Sequence, residues 1–203
     1  MSNLTDYTRV SEWLPALFAI PEVLIVLNHP FWLEEGVEEN VHRAALPRLL
    51  GQCGQWLHAF ELNGTRPWKE NHDTIELALA YGVPVISGGD RHACEPSACI
   101  NLTNARSFAE FTAEIREGRS RVLFLPQYRR PMAARLAAAV WDILRPYPEF
   151  PHRACWTDRV FYQIADGVDR PLSQVWKRGT PGFVNGATQL VGRFAAALAG
   201  ATL

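Results

Sequence analysis

The pattern of apolar and polar positions along the first part of the chain predicts strands and helices in alternation. Residues 22–28, 56–62 and 83–87 are short apolar-rich runs, which are typical of strands buried in a parallel sheet. Between these runs, residues 40–50 and 73–81 place apolar side chains at helical spacing. This strand–helix–strand order favours parallel strands joined by right-handed crossovers.

The same alternation continues more weakly toward residue 125. Residues 98–102 and 121–125 predict two further short strands. Between them, Ser107 and Glu110 stand three residues apart at the start of a helical pattern, which is the spacing of a capping box. The sequence therefore predicts an α/β fold.

The character of the chain changes beyond this last strand. A polar and basic stretch follows, and apolar spacing then predicts helices over residues 132–145, 156–166 and 186–199. We therefore predict an α/β domain over residues 1–127 and a helical C-terminal extension over residues 128–203.

Composition and charge narrow the class of partner. Twenty basic and twenty-one acidic residues leave a formal net charge of −1, so there is no electrostatic reason to expect nucleic acid or a membrane surface as partner. No apolar run is long enough to span a bilayer, and the first residues do not form a secretory signal. The four cysteines form no C-x-x-C pair, which favours free thiols in a reducing compartment. These features predict a cytoplasmic protein that acts on small molecules.

Residues of the types that commonly bind metals lie at the end of each of the three main predicted strands. His29 comes directly after the first strand, Glu61 and Asn63 end the second, and Asp90 and His92 follow the third. The carboxyl ends of neighbouring parallel strands lie about 5 Å apart at one edge of a sheet, so these side chains could converge. Imidazole and carboxylate groups are ligands of zinc, manganese and iron. The spacing therefore predicts a site for divalent metal ions.

Each residue of this set also has a structural interpretation. His29 could simply end a strand, and Glu61 could pair with Arg66 or Lys69. His58 lies three residues before Glu61 in the same strand, so its side chain points to the opposite face and is predicted to be structural. The joint occurrence at three successive strand ends favours the metal site over these separate interpretations.

Three segments resemble the PHP (polymerase and histidinol phosphatase) family of metal-dependent phosphoesterases. They are Leu27-Asn28-His29-Pro30, Phe60-Glu61-Leu62-Asn63 and Gly88-Gly89-Asp90-Arg91-His92, the last of which is similar to the Gly-Ser-Asp-x-His signature of the family. The resemblance covers roughly residues 20–125. It implies a distorted (β/α) barrel, similar to a TIM barrel, with divalent metal ions at its carboxyl face.

The resemblance also implies an activity, the hydrolysis of a small-molecule phosphate ester by a water that zinc, manganese or iron ions activate. Its implied site consists of metal ligands, two of which are also catalytic, and substrate-binding residues. The implied metal ligands are His29, Glu61, Asp90 and His92, of which Asp90 and His92 are catalytic, and the implied substrate-binding residues are Asn63 and Arg91.

The chain departs from the family at its beginning. The family opens with a His-x-His strand, whereas no histidine precedes His29 here. The predicted strands are also too few to close a barrel, so we expect a partial or distorted barrel whose edges are covered by the C-terminal helices or by a second copy of the chain. Enzymatic activity then depends on whether the metal site is complete, and impaired activity is expected. The alternative is a non-catalytic, truncated PHP-like protein with a structural or regulatory role.

Overall fold

The structure is a computed structural model that describes residues 6–33, 36–88, 98–150, 152, 154–163 and 167–200. Over these residues the chain is mixed α/β, and it divides into two compact units. The described part of the first unit ends at Tyr128, and that of the second begins at Arg129.

A three-stranded parallel sheet forms the centre of the first unit. Its strands, in the order β1-β2-β3, are β1 (Val26–Leu27), β2 (Ala59–Leu62) and β3 (Val85–Ser87). The helices that precede or connect them are α1 (Asp6–Phe18), α2 (Glu39–Cys53) and α3 (Trp68–Tyr81). The predicted alternation of strands and helices, with parallel pairing, is therefore confirmed for this part of the chain.

The next two strands pair in the opposite sense. β4 (Cys99–Leu102) and β5 (Arg121–Phe124) form an antiparallel pair, joined through helix α4 (Phe108–Arg116). A continuation of the parallel pattern into these strands is therefore wrong. Helix α4 does begin as predicted, because the Ser107 hydroxyl accepts a hydrogen bond from the Glu110 amide at 3.2 Å.

An asparagine side chain of β4 attaches this antiparallel pair of strands to the parallel sheet. The amide of Asn101 accepts a hydrogen bond from the Ser87 N–H at 2.8 Å and donates one to the Ser87 carbonyl at 2.7 Å. The Ser120 hydroxyl also donates to the Val85 carbonyl, at 2.6 Å. Because a side-chain amide carries both a donor and an acceptor, Asn101 satisfies the edge of β3 as a backbone peptide would.

Helices cover both faces of the sheet. On one face, Phe60 packs with Leu50 of α2 and Ala78 of α3. On the other, Ala59 and Ile86 pack with Ile115 of α4. All four residues of β2 are consequently buried, which explains why the strand shows no simple apolar–polar alternation.

Several element boundaries differ from the sequence prediction, among them those of β1, α2 and α3. β1 is shorter than the predicted 22–28 strand, and the guanidinium of Arg116 binds three carbonyls of the segment before it. Helix α2 continues through Gly51 to Cys53. Helix α3 begins at Trp68, five residues before the predicted cap Asp73, which instead pairs with Lys69 at 2.7 Å.

The second unit is built on two helices that pack together, α5 (Met132–Leu144) and α7 (Gly182–Ala199). Between them lie the antiparallel strands β6 (Phe161–Gln163) and β7 (Asp169–Pro171) and the short helix α6 (Leu172–Val175). The helix predicted over 156–166 is wrong, because Trp156–Asp158 is a 3₁₀ turn and a strand follows it.

The strands of the described residues close no barrel, since they form one parallel sheet and two antiparallel pairs. Within the same ranges, every helix is too short or too polar to cross a membrane.

Candidate metal site

The carboxyl edge of the parallel sheet brings together two of the predicted ligands. The side chain of Glu61 accepts two hydrogen bonds on Oε2, one from the backbone N–H of His29 at 3.1 Å and one from the imidazole Nδ1 of His29 at 3.2 Å. Two residues that are 32 positions apart in the chain thus contact each other at the ends of adjacent strands.

His29 has an unusual backbone conformation. Its φ is +30°, the only positive value among the non-glycine residues that the structure describes. Its carbonyl accepts a hydrogen bond from the Trp32 N–H at 2.9 Å, and the Trp32 ring stacks on the imidazole with centroids 5.1 Å apart. Side chains rarely adopt this backbone region unless the surroundings hold them there, and such strain concentrates at functional sites.

Glu61 is almost completely buried, with 2% of its surface exposed. Gly88, directly after β3, makes room for the carboxylate, because a Cβ at this position would lie 2.4 Å from Glu61 Oε1. Burial, with a smaller effect of the negative charge of Glu61, raises the pKa of the nearby Cys99 thiol to about 11, although a hydrogen bond with Ser87 opposes this. The Cys99 thiol therefore stays protonated at neutral pH.

Asn63 lies beyond Glu61 and is fully buried. Its side-chain oxygen accepts hydrogen bonds from the Thr65 N–H at 2.8 Å and the Thr65 hydroxyl at 2.7 Å. Its backbone N–H and carbonyl both bond to the Asn71 side chain, each at 2.8 Å. These contacts shape the loop after β2, and a contact of Asn63 with a substrate stays a prediction.

Arg66 stands on this loop and was not among the predicted site residues. Its guanidinium lies 4.6 Å from the centroid of Trp32, which is itself stacked on His29. The Tyr128 hydroxyl donates a hydrogen bond to the Arg66 carbonyl at 2.9 Å and accepts one from Asn71 at 2.8 Å. From the sequence, the only signal for Arg66 is its positive charge, five residues after the predicted ligand Glu61. Its position near the predicted site depends on the tertiary contacts with Trp32 and Tyr128.

The remaining predicted site residues, Asp90, Arg91 and His92, lie outside the described residues. Their distances from His29 and Glu61 are therefore not part of the structure. Among the residues that are described, no cluster of three or more His, Cys, Asp or Glu side chains could hold a metal ion. The described part of the chain contributes two of the four predicted ligands.

His58 points away from this edge, as predicted. Its ring stacks on Phe18 with centroids 4.5 Å apart, and its Nδ1 accepts a hydrogen bond from the Ile25 N–H at 2.9 Å. Burial, helped by the positive charge of Arg116, lowers the pKa of His58 to about 4. His58 is therefore a neutral, structural histidine.

Comparisons of the chain with family models, with curated proteins and with solved structures found no match. The resemblance to the PHP family therefore rests on the three sequence segments alone and stays a prediction.

Proposed function

We propose that the chain is a metal-dependent phosphoesterase of the PHP type, whose site lies at the carboxyl edge of the parallel sheet. The observation that carries the proposal is the contact of His29 with the buried carboxylate of Glu61. In this proposal the three parallel strands belong to a partial, distorted (β/α) barrel, and the substrate is a small phosphate ester.

Chain connectivity supports a contribution from Asp90. Gly88 touches the Glu61 carboxylate, because even a methyl group at this position would overlap it. Asp90 follows Gly88 by two residues, and Cα atoms two residues apart are separated by at most about 7 Å. A contribution of Asp90 to the site is therefore compatible with its position in the sequence, two residues after Gly88.

The chemistry of the two described donors suits a divalent cation. With Nδ1 of His29 facing the Glu61 carboxylate, Nε2 is the nitrogen that would coordinate an ion, and carboxylates commonly orient metal-binding histidines in this way. A buried carboxylate also needs positive charge nearby, which a zinc, manganese or iron ion would supply. Glu61 would then orient His29 and offset part of the positive charge of the ion.

The described residues have defined parts in the proposed reaction. A divalent ion, when bound, lowers the pKa of a water and offsets the negative charge of phosphoryl oxygens. Glu61 holds the His29 ring in one orientation, and Gly88 leaves space for the Glu61 carboxylate. The hydrogen bonds among Asn63, Asn71 and Tyr128 position the loop that carries Arg66.

The alternative is a non-catalytic PHP-like protein with a structural or regulatory role. The small sheet favours it, because three parallel strands present fewer strand ends from which ligands could converge than a closed barrel does. The metal content of the purified protein separates the two functions. Two or more ions per chain would favour the enzyme, and none would favour the alternative.

The decisive experiment measures hydrolysis of p-nitrophenyl phosphate with manganese and with zinc, together with metal content, for the whole chain and its variants. His29→Ala and Asp90→Ala should each reduce metal affinity and turnover by at least about tenfold, because each removes a proposed ligand. His72→Ala is the matched control, since His72 is an exposed histidine of α3 in the same unit. Turnover that survives both ligand variants, or that a chelator leaves unchanged, would contradict the proposal.

A further inference from the structure

The second unit contains a cleft of about 470 Å³ between α5, the segment that follows it, and α7. This volume falls within the range of small-molecule sites, which is about 300–1,000 Å³. The side chains that matter for its chemistry are two indoles, two guanidinium groups and two amides, namely Trp141, Trp156, Arg145, Arg193, Asn185 and Gln189. Among the residues that the structure describes, no Asp or Glu side chain lines the cleft.

The two arginines differ in how their charges are balanced. The guanidinium of Arg145 lies 3.2 Å from the buried carboxylate of Asp142 and 4.0 Å from the centroid of Tyr147. Arg193 is exposed on α7, and it forms no ion pair or hydrogen bond with any residue that the structure describes. Its charge is therefore the one that an anionic ligand would meet.

The walls of the cleft are held in place before any ligand binds. Arg159 donates hydrogen bonds to the carbonyls of Ile143 and Arg145, both at 2.7 Å, and to that of Ala154 at 3.0 Å. This one guanidinium thus fastens both ends of the segment that follows α5. On the opposite wall, Gly192 of α7 lies beside the Trp141 ring of α5, and a Cβ there would lie 3.5 Å from that ring, at ordinary van der Waals contact.

We propose that this cleft binds a small anion that carries a planar aromatic ring. The ring packs against the indoles of Trp141 and Trp156, and the anionic group pairs with Arg193. The amides of Asn185 and Gln189 supply hydrogen bonds to polar atoms of the ring. The described lining residues combine aromatic walls with the unpaired cation of Arg193 and include no carboxylate, which favours such a ligand over a neutral or cationic one. This site is independent of the proposed phosphoesterase function, since all its residues lie in the second unit.

Cys155 provides a direct reporter of occupancy. It lines the cleft and is exposed, whereas Cys53 and Cys99 are buried. In a Cys94→Ser background of the full chain, iodoacetamide alkylation of Cys155 is followed by mass spectrometry. The probes are two aromatic anions, adenosine 5′-monophosphate and indole-3-acetate. Adenosine and inorganic phosphate serve as the ring without the charge and the charge without the ring.

At a concentration ten times its Kd, a bound anion should slow alkylation about tenfold. We expect this protection from at least one of the two aromatic anions, and little from adenosine or phosphate at the same concentration. Arg193→Gln should abolish the protection, whereas Arg178→Gln, an exposed arginine of the same unit outside the cleft, should leave it intact.

Three results would overturn the proposal. The first is that neither aromatic anion protects Cys155 at millimolar concentration. The second is that protection persists in Arg193→Gln, and the third is that adenosine protects as well as its monophosphate. Circular dichroism of each variant verifies that it is folded, and isothermal titration of the wild-type protein with the protecting anion gives an independent Kd.

Discussion

Acidification from pH 7 to pH 4 should destabilise the first unit through His58. The folded-state pKa of His58 is about 4, whereas a histidine in an unfolded chain has its usual pKa near 6.5. As the pH falls between these two values, the unfolded state takes up a proton that the folded state does not. The stability associated with neutral His58 is therefore complete above about pH 6.5 and is lost progressively down to about pH 4.

The size of this effect follows from the difference between the two pKa values. Each pH unit across which only the unfolded chain is protonated costs about 1.4 kcal/mol, so the loss approaches about 3 kcal/mol at pH 4. The structure gives the reason, since the ring is stacked on Phe18, is 6% exposed and lies near the cation Arg116. A protonated His58 could also no longer accept the hydrogen bond from the Ile25 N–H.

The matched variant is His58→Asn, which does not titrate but can place an amide oxygen near the position of Nδ1. Amide hydrogen exchange over β2 measures the free energy of opening for the first unit alone, because it reports local stability. We expect the advantage of the wild type over the variant to fall by about 3 kcal/mol between pH 7 and pH 4. An advantage that stays constant over this interval, or an imidazole that titrates near pH 6.5 by NMR, would refute the reasoning.

Three further substitutions test the site and its supports. Glu61→Gln should weaken metal affinity by about 10–100-fold, because the amide replaces the charged oxygen that orients His29. Calorimetric titration with manganese measures the affinity, and an unchanged value would argue against a role of Glu61 in orienting His29. Gly88→Ala should displace the Glu61 carboxylate and reduce the free energy of unfolding in urea by about 2 kcal/mol. The control Gly51→Ala lies in open space within α2 and should increase that free energy by about 0.5–1 kcal/mol. Equal effects of the two substitutions would contradict the steric argument. Arg116→Lys should reduce the free energy of unfolding in urea by about 2 kcal/mol, since an ammonium cannot replace the guanidinium that bonds to three carbonyls. A urea unfolding curve like that of the wild type would show that these bonds contribute little.

Local features of the sequence were enough to predict several elements. The end of α3 at Gly82 follows from a residue that adopts the left-handed conformation, with φ +65°, at low steric cost. The start of α4 follows from the hydroxyl of Ser107. The contact between His29 and Glu61 could be anticipated as well, because it requires only that two neighbouring strands be parallel and in register.

The sequence alone could not determine which distant side chains complete the backbone hydrogen bonds. Arg116 binds carbonyls of the segment before β1 from nearly a hundred positions away, and Asn101 continues the edge of β3 in place of a strand. Nothing in the local pattern distinguishes these two residues from other polar side chains of similar spacing. The same is true of Gly88, whose missing Cβ matters only because Glu61 lies against it.

There is a physical reason why some features follow from the sequence and others only from the tertiary structure. Propensity, capping and apolar spacing act between residues within a few positions of one another, so the sequence alone predicted the existence of α2, α3 and α4 and the residues at the strand ends. The strand–helix alternation predicted the parallel pairing of the first three strands. Other features depend on groups that approach one another only when the chain folds. They are the antiparallel pairing of β4 with β5, the hydrogen bonds of Arg116 and the space beside Gly88. Only the tertiary structure could decide them, because their free energy comes from contacts between segments that are remote in sequence.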